Sequence, residues 1–147
     1  IDSVPDAPMS DLVFSCPPYG DLEVYSNDPR DLSQMEWSKF LSAYKRIILA
    51  AVQRMKQNSF AVFVVGDFRD NKGMYRNFVS HTIDGFEASG ARLYNEAILA
   101  TSIGSASMRV AKQFTTSRKL AKIHQNVLMF VKGDPRIATS KIDSATT

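Results

Sequence analysis

The sequence predicts an α/β fold, and three observations support this prediction. Short apolar segments typical of buried strands alternate along the chain with segments whose apolar residues recur at helical spacing. The segment Phe60–Val65 is continuously apolar and rich in β-branched and aromatic residues, which is typical of a strand buried on both faces of a parallel sheet. The chain has 147 residues, of which 44% are hydrophobic, and this is enough to bury the core of one domain.

The N-terminal part is predicted to be one strand between two irregular segments. Residues 1–10 are rich in proline and aspartate and are expected to form a loose lead-in. Leu12–Ser15 is expected to be a short buried strand. The polar loop from Gly20 to Asp31 is long enough to border a site.

A long helix is predicted after this loop. Ser33 is a suitable N-cap, and Glu36, three residues later, can complete a capping box. Apolar residues then recur at helical spacing as far as Met55. We therefore expect a helix with one apolar face that ends near Gln57.

After the strand Phe60–Val65, the pattern predicts a second helix and two more strands. Apolar residues recur at helical spacing over residues 75–86, and Gly90 is a natural terminator for that helix. Strands are expected at Arg92–Thr101 and Val127–Lys132.

The remaining segments are predicted to be irregular. Residues 102–125 are polar and basic and are expected to form a long insert that carries function or is disordered. Residues 134–147 are polar and are expected to be a disordered tail. The predicted domain therefore covers residues 11–133.

Composition restricts the class of protein. One cysteine excludes an internal disulfide and a cysteine-cluster zinc site, and the carboxylates and two histidines show no metal-ligand spacing. No apolar run approaches the roughly 20 residues of a membrane helix. The first residues have no signal-peptide pattern and no initiator methionine, so a cytoplasmic setting and a fragment of a longer protein are expected.

The net charge of +3 is unevenly distributed. From residue 109 to residue 132 there is no acidic side chain, while the cations are Arg109, Lys112, Arg118, Lys119, Lys122 and Lys132. Such a segment suits a polyanionic partner such as DNA, although a solvated basic surface is the commoner explanation.

The clearest chemical signal is the turn that follows the first strand, Cys16-Pro17-Pro18-Tyr19. Consecutive prolines stiffen the backbone, remove two amide donors and force the preceding residue into extended geometry. The carbonyls of Cys16 and Pro17 are therefore held in fixed directions beside an aromatic ring. Fixed acceptors and a ring are what is needed to grip a planar amine and stack on the base that carries it.

This turn, together with Ser15, resembles the Asp/Asn/Ser-Pro-Pro-Tyr motif of amino-methyltransferases, chiefly the adenine-N6 and cytosine-N4 DNA enzymes that use S-adenosylmethionine. Val64–Asp67 and His124–Leu128 are similar to later segments of phage-type DNA modification methylases. The resemblance covers about residues 11–135. It implies the second half of a Rossmann-like methyltransferase sheet in which the last strand is antiparallel and lies beside its neighbours.

The resemblance also implies roles for individual residues. The Pro17 carbonyl and the Cys16 side chain would orient the target amine, Pro18 would stiffen the turn, and Tyr19 would stack on a base rotated out of the duplex. Ser15 and Cys16 would border the cofactor. The insert would face DNA, with its phosphates bound by Arg109, Lys112, Arg118 and Lys119.

Two departures from the family pattern leave alternatives open. Cys16 stands where the family has an acidic, amide or hydroxyl residue, and sulfur is a weak hydrogen-bond acceptor. A glycine-rich cofactor loop is absent from the 147 residues, so the main cofactor-binding half is expected upstream of Ile1. The chain could instead be a catalytically inactive nucleic-acid-binding remnant, or a protein glutamine N-methyltransferase. Asp67 and Asp70 could border the pocket or be ordinary loop residues.

Overall fold

The computed structural model describes residues 8–22, 25–28, 30–100 and 106–142. It contains a four-stranded sheet formed by β1 (Ser10–Ser15), β2 (Met55–Val65), β3 (Arg92–Ala100) and β4 (His124–Lys132), in the order β1-β2-β4-β3. β1 and β2 are parallel, whereas β4 runs antiparallel to both β2 and β3. The predicted α/β fold, with an antiparallel last strand between its neighbours, is therefore confirmed.

Two helices cover one face of this sheet and enclose the core. α1 (Trp37–Arg54) connects β1 to β2, and α2 (Phe78–Ala88) connects β2 to β3. Alternate residues of each strand point to the same face, so Ala61, Phe63 and Val65 of β2 join the core beneath these helices. The rings of Phe86 and Phe130 stack there with their centroids 3.9 Å apart.

The opposite face of the sheet is also apolar but is only partly covered. Side chains from all four strands and from the chain beyond β4 line an apolar groove of about 330 Å³, among them Leu12, Val62, Tyr94, Met129 and Ile142. In β1, Leu12 is 56% exposed and Phe14 is 63% exposed. Among the described strands β1 pairs on one edge only, with β2. An apolar, parallel strand in this position is normally buried on both faces.

The predicted capping box is wrong in its position. Ser33 lies inside a short 3-10 helix, Leu32–Gln34, in which the Asp31 side chain accepts from the Ser33 N–H. Met35 is extended, and α1 starts after Glu36, whose carboxylate accepts from the Ser38 N–H at 3.2 Å. A serine hydroxyl and a glutamate carboxylate can both accept from the N–H groups of a first helical turn. Because Met35 is extended, the short 3-10 helix ends before it, and Glu36 rather than Ser33 caps α1.

α1 ends at Arg54, three residues before the predicted end, and β2 follows at once. The junction is also bonded from β4. Nζ of Lys132 donates to the Val52 carbonyl, which accepts from the Met55 N–H as well, and to the Met55 carbonyl, both at 2.8 Å. A cation at a helix C-terminus is stabilising through the helix dipole as well as through these bonds.

Replacing Lys132 with methionine is expected to lower the free energy of unfolding by about 1–2 kcal/mol, because the apolar stem remains while two charge-assisted bonds are lost. Urea unfolding followed by circular dichroism measures this change. Lys112→Met, on the exposed α3 (Ala106–Ser117), is the matched control and is expected to stay within about 0.5 kcal/mol of the parent. Equal midpoints for the two variants would contradict the capping role.

Two segments expected to be irregular contain helices. The insert at residues 102–125 carries α3, and the tail after residue 134 begins with α4 (Pro135–Ser140). α4 starts with a standard signal, since Asp134 accepts from the Arg136 and Ile137 N–H groups and proline occupies the first helical position. The predictions also included residues 1–7, 23–24, 29, 101–105 and 143–147, which lie outside the described part. None of the described helices is long and apolar enough to span a bilayer.

Candidate functional site

The predicted motif lies at the carboxyl end of β1, which is the edge where α/β sheets place their ligands. Ser15 is the last residue of β1 and pairs with Phe63 of β2. Beyond it Cys16 is exposed, Pro17 is buried, and Pro18 and Tyr19 are partly buried. The four residues Cys16–Tyr19 therefore leave the sheet as one short turn, with the thiol at the surface.

Tyr19 is held in a fixed orientation by side chains from three elements. Its ring centroid lies 5.8 Å from that of Phe68 and 5.8 Å from that of Phe78. Its hydroxyl accepts a hydrogen bond of 2.6 Å from Nε2 of Gln125 in β4. A Cβ atom built on Gly66 would lie 3.5 Å from the same hydroxyl, so the ring tip rests against the end of β2. Stacking of this ring on a base stays a prediction.

The Pro17 carbonyl has no hydrogen-bond donor among the described residues, whereas the Tyr19 carbonyl accepts from the Leu22 N–H at 3.3 Å. Pro17 and Pro18 have no backbone N–H, so neither can donate a hydrogen bond within this turn. The turn therefore holds this acceptor, which belongs to a buried residue, in a stiff backbone next to the exposed Cys16 side chain. This is the arrangement needed to accept from an N–H group of a ligand, and its role in amine binding stays a prediction.

A second feature at this edge is an open cavity of about 740 Å³. Four cationic side chains line it, namely Arg69, Arg118, Lys119 and Lys122, together with Tyr75 and His124. Asp67 is the carboxylate among the lining residues. The cavity is therefore dominated by positive charge, which favours an anionic ligand.

The two aspartates considered from the sequence have structural partners. Oδ1 of Asp67 accepts from the Val79 N–H at 3.1 Å and so caps the start of α2, where Asn77 makes no side-chain cap. Asp70 accepts from the Met74 and Lys72 N–H groups, and the bond from Met74 is the main cause that holds the pKa of Asp70 below its usual range. Asp67 borders the cavity, and Asp70 stabilises a turn beside it.

The structure brings together two of the four predicted DNA-binding residues. Arg118 and Lys119 line the cavity, while Lys112 lies on α3 and lines a separate pocket. Arg109 also belongs to α3, but its side chain lies outside the described part. In the described ranges, no three histidine, cysteine or carboxylate side chains are grouped so as to hold a metal ion.

Three residues of this region were missed by reasoning from the sequence: Arg69, Tyr75 and Gln125. Arg69 and Tyr75 flank a turn that ends in Gly73, a signal for a short hairpin that would bring them side by side. Gln125 lies in the segment His124–Leu128 that carries part of the resemblance, but no local signal indicated its contact with Tyr19, which joins positions 106 residues apart.

Comparison with known proteins places the fold. No family model matches the chain, and no curated protein sequence matches it. Among solved structures, a selenomethionine form of a Thermus thermophilus protein, provisionally described as a DNA modification methylase, superimposes with a TM-score of 0.61 at 15% identity, over 88% of this chain and 48% of that chain.

Two further matches contain a ligand. The same Thermus protein in complex with S-adenosyl-L-methionine gives a TM-score of 0.58 at 14% identity, over 88% of this chain and 49% of that one. The M1.HpyAVI–SAM complex gives 0.50 at 12% identity, over 86% and 46%. The chain therefore has the fold of one part of these proteins and spans about half their length, as the resemblance predicted.

Proposed function

We propose that this chain is the catalytic part of a DNA methyltransferase that transfers a methyl group from S-adenosylmethionine to the exocyclic amine of adenine or cytosine, in the cytoplasm. The observation that carries the proposal is the Pro17 carbonyl, stiffly held at the carboxyl end of β1 and without a donor among the described residues. The fold shared with methylase structures, two of them bound to S-adenosylmethionine, supports the cofactor and the substrate class.

In this proposal the turn positions the amine for direct transfer. The Pro17 carbonyl accepts a hydrogen bond from one amine N–H, and the Cys16 side chain faces the other. These contacts fix the direction of the nitrogen lone pair, and the fixed geometry lowers the entropic part of the barrier. Tyr19 contacts the base face, and the amine proton leaves to solvent after the nitrogen has reacted. When bound, S-adenosylmethionine supplies a methyl group activated by its sulfonium.

The described residues fit only the reacting end of such a cofactor. Ser15 and the exposed Cys16 lie at the strand end where the methyl donor would approach. The rest of the cofactor needs a binding surface of its own, and we assign it to a further part of the same protein, upstream of Ile1. Two observations support that assignment: the edge of β1 that pairs with none of the described strands, and the apolar groove lined by Leu12 and Tyr94 on the uncovered face.

Isothermal titration tests the division between the two parts. We expect the 147-residue chain, shown to be folded by circular dichroism, to bind S-adenosylmethionine weakly or not at all, because it carries only the reacting end of the site. The full-length protein is expected to bind in the micromolar range or tighter, a free energy of about −8 kcal/mol. Tight binding by the short chain would refute the division.

Product analysis tests the reaction itself. DNA is incubated with the full-length protein and labelled S-adenosylmethionine and is then digested. The resulting nucleosides are identified by their mass. N6-methyladenine or N4-methylcytosine supports the proposal and identifies the base. Label on glutamine of a protein would instead support a protein methyltransferase.

The second candidate function is a nucleic-acid-binding remnant without catalysis. One observation favours it, namely that a thiol at residue 16 replaces the stronger acceptor of the resembled motif. The cationic cavity would keep its affinity for DNA in such a protein. DNA binding without methylation, in both the parent protein and the Cys16→Asp variant, would favour this candidate.

A further inference from the structure

The loop after β2 is a rigid hairpin, here called the 68–76 hairpin. Backbone bonds of 2.9 Å from Arg76 N–H to the Phe68 carbonyl and 2.8 Å from Asp70 N–H to the Met74 carbonyl connect its two arms. Gly73 closes the turn by donating to the Asp70 carbonyl at 2.9 Å. Its φ of +85° requires glycine at this place. The hairpin is therefore a preformed wall rather than a loose loop.

An aromatic ring is presented on this wall with one face already covered. The Arg69 guanidinium lies 3.9 Å from the centroid of the Tyr75 ring, and the two residues form an isolated β-bridge. Nη1 of Arg69 also donates to the Gly73 carbonyl at 2.8 Å, which fixes the guanidinium in place. Tyr75 is 44% exposed, so the oriented ring still offers surface to a ligand. Ordering such a ring before binding reduces the entropy lost on association.

The opposite wall of the cavity is the segment 117–124, which supplies Arg118, Lys119 and Lys122. The two walls meet at Gly73, because a Cβ atom built there would lie 2.5 Å from Nζ of Lys119. The Asp67 carboxylate is engaged by the Val79 N–H. The cavity thus combines an aromatic surface on one wall with three cations on the other.

We propose that the cavity between the 68–76 hairpin and segment 117–124 holds an unpaired nucleotide of a DNA strand, with its base on the Tyr75 ring and its phosphates on Arg118, Lys119 and Lys122. The pairing of a ring with cations is the chemistry of single-strand binding grooves. A base inside a duplex is stacked on both faces, so it reaches Tyr75 only when it is unpaired. Neither Pro17 nor Tyr19 lines the cavity, so this nucleotide is not the one whose amine reacts. The inference rests on the proposed function for the identity of the polymer.

The test compares Tyr75→Leu with Tyr75→Phe in the full-length protein, by fluorescence anisotropy with a labelled single-stranded oligonucleotide, a duplex, and free deoxynucleotide as competitor. Loss of the ring is expected to weaken single-strand binding about tenfold or more, while phenylalanine restores it. Leu49→Ala, an apolar side chain of similar exposure (41%) on α1 that does not line the cavity, is the control and is expected to change nothing. Duplex binding is expected to change less than about twofold.

The salt dependence separates stacking from charge. Arg118→Gln and Lys119→Gln are each expected to reduce the slope of log affinity against log salt by about 0.7, whereas Tyr75→Leu leaves the slope unchanged. If Tyr75→Leu does not fold, 2-aminopurine in the oligonucleotide gives a second measurement, since its emission falls when it stacks on a ring in the unmodified protein.

If the parent protein binds no DNA, the proposed function is overturned together with the cavity assignment. DNA binding with unchanged affinity in Tyr75→Leu, unquenched 2-aminopurine, or tight binding of free deoxynucleotide would overturn only the cavity assignment.

Discussion

Replacing Cys16 with aspartate is expected to raise the rate of methyl transfer by the full-length protein about tenfold or more. A carboxylate accepts an amine N–H far more strongly than sulfur does, and a hydrogen bond to a charged group is worth about 1.5–3 kcal/mol. Cys16 is exposed at the strand end, so the substitution is not expected to disturb packing. Transfer of labelled methyl groups to DNA, at saturating cofactor, measures the change.

Cys16→Ser and Cys16→Ala are the companions to this experiment. Serine supplies a hydroxyl acceptor of similar size and is expected to give a smaller gain, while alanine supplies none and is expected to give no gain. All four proteins should still bind DNA, because the cationic cavity is not lined by residue 16. No methylation by any of them, with DNA binding intact, would reject the catalytic proposal in favour of the binding remnant.

The largest loss of stability is expected from Phe86→Ala, at about 3–5 kcal/mol of the free energy of unfolding. Phe86 is fully buried, stacks on Phe130 with ring centroids 3.9 Å apart and meets the edge of Phe63 at 4.8 Å. The cavity left by its removal lies between α2 and the sheet, where rigid aromatic neighbours limit collapse. Urea unfolding monitored by the single tryptophan measures the loss.

The control is Phe114→Ala on the exposed helix α3, where the ring is 43% exposed. This variant is expected to lose less than about 1 kcal/mol, since little apolar surface returns to water. Comparable losses in both variants would mean that the aromatic cluster between α2 and the sheet is not the main core of the domain.

The strands were predictable because their signal is local. The apolar run at residues 60–65 identified most of β2, and the turn after β1 followed from Pro17 and Pro18. The antiparallel placement of β4 came only from the resemblance, since pairing partners such as Val62 and Met129 are far apart in the chain. The start of α1 was misplaced because Ser33 and Glu36 both carry capping chemistry, and tertiary packing selects between them.

The candidate site was likewise predictable only where its residues are contiguous in the sequence. The motif Ser15–Tyr19 is contiguous, so its position at a strand end could be read directly from the sequence. The cavity could not, because it forms only when the 68–76 hairpin meets the distant segment 117–124. A run of basic residues did indicate Arg118 and Lys119, but it did not distinguish them from Lys112, which faces a different pocket.

The position of β4 has a consequence for biosynthesis. Of the four described strands, the one that emerges last from the ribosome fills the middle of the sheet, between β2 and β3. At roughly 5–20 residues per second, translation leaves the edge of β2 bare for several seconds before β4 can seal it. During that interval the nascent chain displays the β-prone run Phe60–Val65, a segment that invites aggregation. A chain that ends between residues 66 and 123 keeps this exposure permanently, and such products are natural clients of chaperones and proteases.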